Sequence, residues 1–163
     1  MADIPLEVRS TDLVSNLNVP VTASRTYARA RFLDVGGHEV AYSCVVDSGA
    51  PFSVVPYSLW HDRMLQWQPL GTQLTRNGNV VPNALDWLGA TCHLGATRVF
   101  LLHPVGGMKA GPLLVVGKFA QSRQVRTEYE LTAILGLNFL TDNFSRLELN
   151  AGSGQLGGTF LVP

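Results

Sequence analysis

The segment Cys44-Val45-Val46-Asp47-Ser48-Gly49-Ala50 runs an apolar strand pattern into a carboxylate, a hydroxyl and two small residues. Gly49 permits a sharp turn and leaves its backbone N–H able to point at the Asp47 carboxylate, and Ser48 can hydrogen-bond across to a neighbouring loop. A carboxylate presented in this way, rather than buried, is a candidate for catalysis. Asp, Ser and Gly also favour turns, each for its own physical reason, so the tripeptide alone reads first as a turn. A second segment follows, with its glycine 89 positions after Asp47: Ala133-Ile134-Leu135-Gly136-Leu137-Asn138-Phe139-Leu140, two large aliphatics, a glycine and a short amphipathic turn.

The elements that must position these segments are read from punctuation and period. The 16 glycines and 9 prolines are spread along the chain, with short runs rich in Val, Leu, Phe, Tyr and Thr between them, the rhythm of an all-β fold. Arg25–Leu33 and Glu39–Val46 are expected strands joined by Asp34-Val35-Gly36-Gly37-His38, whose paired glycines suit a tight hairpin. Further strands are expected at Gln73–Thr75, Val80–Val81, Leu85–Leu94, Thr97–His103, Leu113–Val116, Leu131–Leu135, Arg146–Leu149 and Gln155–Val162. Helical pattern is confined to Pro56–Leu65, opened by a proline suited to a first turn, and to a single turn at Leu137–Asp142. His103–Pro112 reads as an exposed loop, and with no repeat or linker, residues 1–163 are expected to form one domain.

Composition narrows the function. The 12 basic and 12 acidic side chains cancel, and charged residues make up 15% of the chain against roughly 25% in an ordinary domain. Nothing here matches a phosphate backbone, so no nucleic-acid partner is expected. A hydrophobic content of 46% suffices for a real core and excludes a disordered composition. Met1-Ala2-Asp3-Ile4-Pro5 has neither a basic nor an apolar leader pattern, and no stretch approaches the ~18 apolar residues of a membrane span. A soluble, cytoplasmic chain without a membrane partner is the expectation. Cys44 and Cys92 sit in separate apolar segments and are expected to be buried free thiols.

The remaining reactive residue types form no constellation. His38, His61, His93 and His103 have no shared ligand spacing, so no metal is expected. Trp60, Trp67 and Trp87 read as core residues ahead of cleft-lining ones, and Arg123 and Arg126 near Glu128 and Glu130 as a solvated charged edge. Gly106-Gly107 lacks the strand-to-helix setting that binds phosphate.

Taken in order, the apolar-apolar-Asp-Ser-Gly-Ala segment ending at Ala50 and the Ile-Leu-Gly-x-x-Phe-Leu segment from Ile134 resemble the retropepsin-like aspartic proteases. This single-lobe family includes the retroviral proteases and their cellular and bacterial relatives. Phe144–Leu149 and Gln155–Phe160, as a closing hairpin, also look like the end of a pepsin lobe, and the resemblance covers roughly Tyr27 to Phe160. It implies a closed, β-barrel-like acid protease lobe with one or two short helices. It also implies that Asp47 is catalytic, that the Ser48 hydroxyl locks two active-site loops together, and that Gly49 and Ala50 support the loop. Ile134, Leu135 and Gly136 would form a ψ-shaped loop passing beside the aspartate.

Peptide hydrolysis by this chemistry needs two carboxylates, one ionised to activate a water and one protonated to polarise the scissile carbonyl. The chain has a single Asp-Ser-Gly. The resemblance therefore implies a homodimer acting on a peptide or protein substrate, with two copies of Asp47 meeting on a two-fold axis and no cofactor. A flap hairpin that covers substrate is expected within Gly71–Ala84, its tip at Asn77-Gly78, a leading signal for a two-residue turn.

Many viral members place an aspartate straight after Asp-Ser/Thr-Gly-Ala and an arginine after the Ile-Leu-Gly glycine. Here those positions are Pro51 and Leu137, and the glycine-rich viral flap is missing, so a non-viral relative fits better. Two other readings belong to different classes. One is a catalytically inactive retropepsin-like module for dimerisation or peptide binding, which needs only a groove and main-chain hydrogen bonds. The other is an unrelated small β-barrel that binds a small ligand. For the enzyme, a dyad sharing one proton is expected to work best in mildly acid conditions.

Overall fold

A computed structural model describes residues 3–14, 16–71, 73–74, 80–81, 85–87, 90–107, 109–123, 132–143, 146–152 and 155–161. In chain order its elements are β1 (Asp3–Val14), β2 (Pro20–Leu33), β3 (Glu39–Val46), β4 (Ser53–Val55), α1 (Tyr57–Trp60), β5 (Trp67–Pro69), β6 (Gln73–Leu74), β7 (Val80–Val81), β8 (Leu85–Trp87), β9 (Ala90–Leu102), β10 (Lys109–Ala120), β11 (Ile134–Leu135), α2 (Leu137–Asn143), β12 (Arg146–Gly152) and β13 (Gln155–Leu161). Period-two alternation sets the facing of the central strands: Ala28, Ala30 and Phe32 of β2 and Val40 and Cys44 of β3 are buried, while Arg29 and Ala41 between them are exposed.

The main sheet runs β12-β13-β1-β2-β3-β11-β4-β10-β9-β5, with β8 added to β9. β2 also pairs with β9, from Arg29 opposite Leu102 to Phe32 opposite Val99, so β2, β3, β11, β4, β10 and β9 close into a ring. The ring encloses one core that includes Phe32, Val99, Leu101, Val115, Phe119, Leu135 and Phe139. The fold is all-β with two short helices. β6 and β7 form a separate antiparallel pair. Among the described residues no helix is long and apolar enough to cross a membrane.

Several boundaries differ from the sequence reading, each for a tertiary reason. β1 and the first five residues of β2 were not expected, because Ser10, Asp12, Thr22 and Ser24 give the segment a polar face where a buried one marks a strand. β4 and β5 were not expected either, being three residues each and defined by their neighbours in the sheet. The helix expected over Pro56–Leu65 stops at Trp60, since Met64 adopts φ 50° and the fully buried Leu65 bridges to Asp34. The break expected near Gly95 is absent: β9 runs through it, and a Cβ there would lie 2.8 Å from Trp67 and 2.9 Å from Phe119. β10 begins at Lys109, inside the segment expected as loop.

Cys44 and Cys92 are buried thiols outside any disulfide, as expected. Desolvation pushes the Cys44 thiol up to about 12 from its ordinary 9.0, so it stays neutral. Trp60 and Trp67 pack against the core, and the Trp60 indole N–H donates to the Ala120 carbonyl at 2.8 Å. Arg123 pairs with Asp62 at 2.8 Å, which holds the Asp62 carboxyl below its usual range. The side chain of Trp87, and Arg126, Glu128 and Glu130, lie outside the described residues.

Candidate active site

Asp47 leaves the end of β3, and its backbone is fixed by a strand from the far end of the chain. β11 enters between β3 and β4, parallel to the first and antiparallel to the second, with Ile134 opposite both Val45 and Val54 and Leu135 opposite Val46. The Val45 N–H donates to the Ala133 carbonyl at 2.8 Å and the Asp47 N–H to the Leu135 carbonyl at 3.1 Å. A two-residue strand holds position here because it has a partner on each side and because Leu135 is buried in the core.

The loop then turns back on its own aspartate. The Gly49 N–H donates to Asp47 Oδ1 at 2.9 Å, and the Ala50 N–H to the Asp47 carbonyl at 3.2 Å. Among the described residues Gly49 is the carboxylate's sole hydrogen-bond partner. Asp47, Ser48 and Gly49 are all exposed. The Ser48 hydroxyl has no hydrogen-bond partner among the described residues.

The two motif segments touch directly. The Leu137 N–H donates to the Ala50 carbonyl at 2.7 Å and the Asn138 N–H to the Pro51 carbonyl at 3.4 Å. Gly136 is required at this crossing, for a Cβ on it would lie 2.5 Å from the carbonyl carbon and oxygen of Phe52 and 2.8 Å from the Ala50 oxygen. Ile134, Leu135 and Gly136 therefore stand beside the Asp47 loop.

Two residues that hold this crossing were missed. Ser53 is fully buried, and its Oγ accepts the Gly136 N–H at 3.1 Å. The Asn138 side-chain oxygen accepts from the Ser53 N–H at 2.9 Å and from its hydroxyl at 3.2 Å, while Asn138 Nδ2 donates to the Val116 carbonyl. One amide thus ties β4, β10 and the start of α2 into a unit behind the loop. Buried polar groups satisfied this fully rigidify their surroundings. The available signal was a lone polar residue in each of two apolar runs, Pro51-Phe52-Ser53-Val54-Val55 and Leu137-Asn138-Phe139-Leu140.

Asn77 and Gly78 lie outside the described residues, and the strands flanking them, β6 and β7, pair Gln73 with Val81 and Leu74 with Val80. Each histidine has a local partner: His38 with Asp34, His61 with Asp62, His93 with Gln121, and His103 with the Val105 N–H. Two surface cavities, of about 350 and 640 Å³, are lined by residues such as Trp67, Arg98 and Phe100 and by Trp60, Asp62 and Arg123, respectively; neither includes Asp47.

No protein-family model and no curated protein matches the chain. The chemistry on offer is that of an exposed carboxylate, rigidly held, with one oxygen on a backbone N–H and the other without a hydrogen bond among the described residues. Such a group takes a proton from water when ionised and donates one when protonated, and cannot do both at once.

Proposed function

We propose that the chain is an aspartic endopeptidase whose dyad consists of two Asp47 carboxylates, one from each copy of a homodimer. The observation that carries this reading is the threading of β11 between β3 and β4 beside an exposed Asp47 cradled by Gly49. A turn aspartate has no need of a remote strand; a carboxylate that must meet a second one at a fixed distance does.

In the dimer the two carboxylates share a proton, because like charges so close cannot both ionise. The ionised one accepts a proton from a water as its oxygen attacks the scissile carbonyl carbon. The protonated one donates to the carbonyl oxygen, and collapse of the tetrahedral species sends a proton to the leaving amine. Because the reaction uses one ionised and one protonated carboxylate, activity is greatest in mildly acid conditions. Two buried cysteines outside any disulfide favour a reducing compartment such as the cytoplasm.

The test is cleavage of an unbiased peptide mixture, read by mass spectrometry from acid to neutral pH, for the wild type and Asp47→Asn. Cutting by the wild type alone supports the assignment, and specific activity should fall on dilution as dimer is lost. Cutting that persists in Asp47→Asn sinks it. Pro51 and Leu137, in place of an ion pair, support a second reading as a peptide-binding or dimerisation module without cleavage. No cutting by either protein, with peptide binding retained in both, would select that reading.

A further inference from the structure

The last paired residues of β2 and β3 are Thr26 and Val46, directly before Asp47. β2 does not stop there: Pro20–Arg25 continue past the end of β3, paired throughout with β1 from Arg9 opposite Arg25 to Val14 opposite Pro20. Six further residues at about 3.3 Å each carry this two-stranded arm some 20 Å beyond the level of Val46, beside the Asp47 loop.

The arm has two unlike faces. On the face that continues the buried side of Ile4, Leu6, Ala28 and Ala30, polar groups satisfy one another: Ser10 bonds Ser24 at 2.8 Å, and the Thr22 hydroxyl donates to Asp12 at 2.8 Å. On the other face Leu13 stands opposite Val21, 45% and 49% exposed, and at the tip of the first face Val14, 73% exposed, stands opposite Pro20. Leu17 and Val19 are also exposed, and no charged residue occurs from Leu13 to Val21. Such alternation ordinarily has an apolar face against something.

We propose that this arm clasps the second copy of the chain alongside the shared Asp47 site; the inference rests on the dimeric reading above. Two carboxylates that share a proton sit about 3 Å apart. An arm reaching some 20 Å past one of them, from the adjacent strand, runs into the space the second copy occupies. The exposed aliphatics of one arm amount to roughly 300 Å² of apolar side-chain surface, comparable to the largest, often functional, patch on a typical monomer. Two arms related by the two-fold would bury about 600 Å², a large part of the apolar share of a standard interface of about 1,600 Å². Leu137, 45% exposed and bonded to the Asp47 loop, adds apolar surface at the same end.

The experiment compares the full-length wild type with two variants by sedimentation equilibrium and peptide cleavage. One variant is Leu13→Asn with Val21→Asn. The other replaces residues 10–24 by Asn-Gly, joining the paired Arg9 and Arg25 through a two-residue turn. Circular dichroism confirms that each is folded. The expected result is a wild-type dimer whose dissociation constant rises about tenfold or more in both variants, with activity recovered at high concentration. Dimerisation unchanged in both variants overturns the arm contact while leaving the shared site standing; if KM for peptide rises instead, the arm covers substrate. Loss of dimer in the variants, with no peptide cut even by the wild type, supports the arm and sinks the protease reading. A wild type monomeric up to millimolar concentration overturns both. A photo-cross-linker in place of Leu17, in mixed ¹⁴N and ¹⁵N chains, gives mixed-isotope cross-links if the contact is between copies, and cross-links within single chains overturn it.

Discussion

β3 has an aspartate turn at each end, and the two carboxylates are used in opposite ways. Asp34, before the strand, accepts the His38 N–H at 2.8 Å through Oδ1 and meets the His38 ring at 3.2 Å through Oδ2, while its carbonyl accepts the Gly37 N–H at 2.9 Å. Both oxygens are consumed within five residues of chain. Asp47, after the strand, accepts one N–H from Gly49, and its backbone is pinned instead by Leu135. The difference separates a carboxylate that builds its turn from one that is built into place. In the second case the fixing is done by main chain and by a remote strand, so that among the described residues a carboxylate oxygen has no partner.

The sharpest way to break this comparison is to neutralise each carboxylate in turn. Asp47→Asn should lower peptide cleavage by about 10²- to 10⁴-fold, the usual range for losing an acid–base group, with an unchanged melting curve. Asp34→Asn should leave cleavage per folded dimer as it is. Equal losses in the two variants would end the distinction.

The glycines beside the two turns give the next contrast, read from urea unfolding. Gly136→Ala forces a Cβ into Phe52 and Ala50 backbone that cannot yield without moving β11, and should destabilise by more than ~3 kcal/mol. Gly37 sits at φ +81° with nothing within 4 Å of the place a Cβ would occupy, so Gly37→Ala meets only the left-handed backbone penalty of about 1–2 kcal/mol. Between these lies Asn138→Ala, which strands the buried Ser53 N–H and the Val116 carbonyl and should cost about 2 kcal/mol. It should also lower cleavage, since the crossing that orders the Asp47 loop loses its tie. An Asn138→Ala protein with full stability and full activity would show that the loop is held by β11 pairing alone.

What was legible in the sequence follows the same division. The Asp34 turn, the β3 strand and the β12–β13 hairpin, with Arg146 opposite Leu161 and Gly152 opposite Gln155, announce themselves through alternation and turn residues close in sequence. Asp47 and Gly136 were found as a pair because each carries a local signature. Ser53 and Asn138 were not, since their bond joins positions 85 apart and neither residue type signals burial. β4 was invisible for a related reason: three residues become a strand only because β11 and β10 flank them. The β1–β2 arm was missed because its hydrogen-bonded polar face removes the buried stripe by which strands are recognised.

The smallest effect tests the electrostatic half of the comparison. The His38 backbone N–H, ahead of the His38 ring, holds the Asp34 carboxyl below its ordinary 3.8. As pH falls, the unfolded chain therefore binds a proton at this residue before the folded one does. The stability Asp34 contributes is present above the ordinary value and is lost as pH drops through the lowered folded value. Asp34→Asn keeps an acceptor oxygen for the His38 N–H and removes the charge. Urea midpoints of wild type and Asp34→Asn should differ slightly at neutral pH and converge in acid, once the pH has dropped through the lowered folded value. A gap that persists unchanged into acid would assign the turn's stability to hydrogen-bond geometry rather than charge. The Asp34 turn would then be held by its two occupied acceptor oxygens and not by its charge.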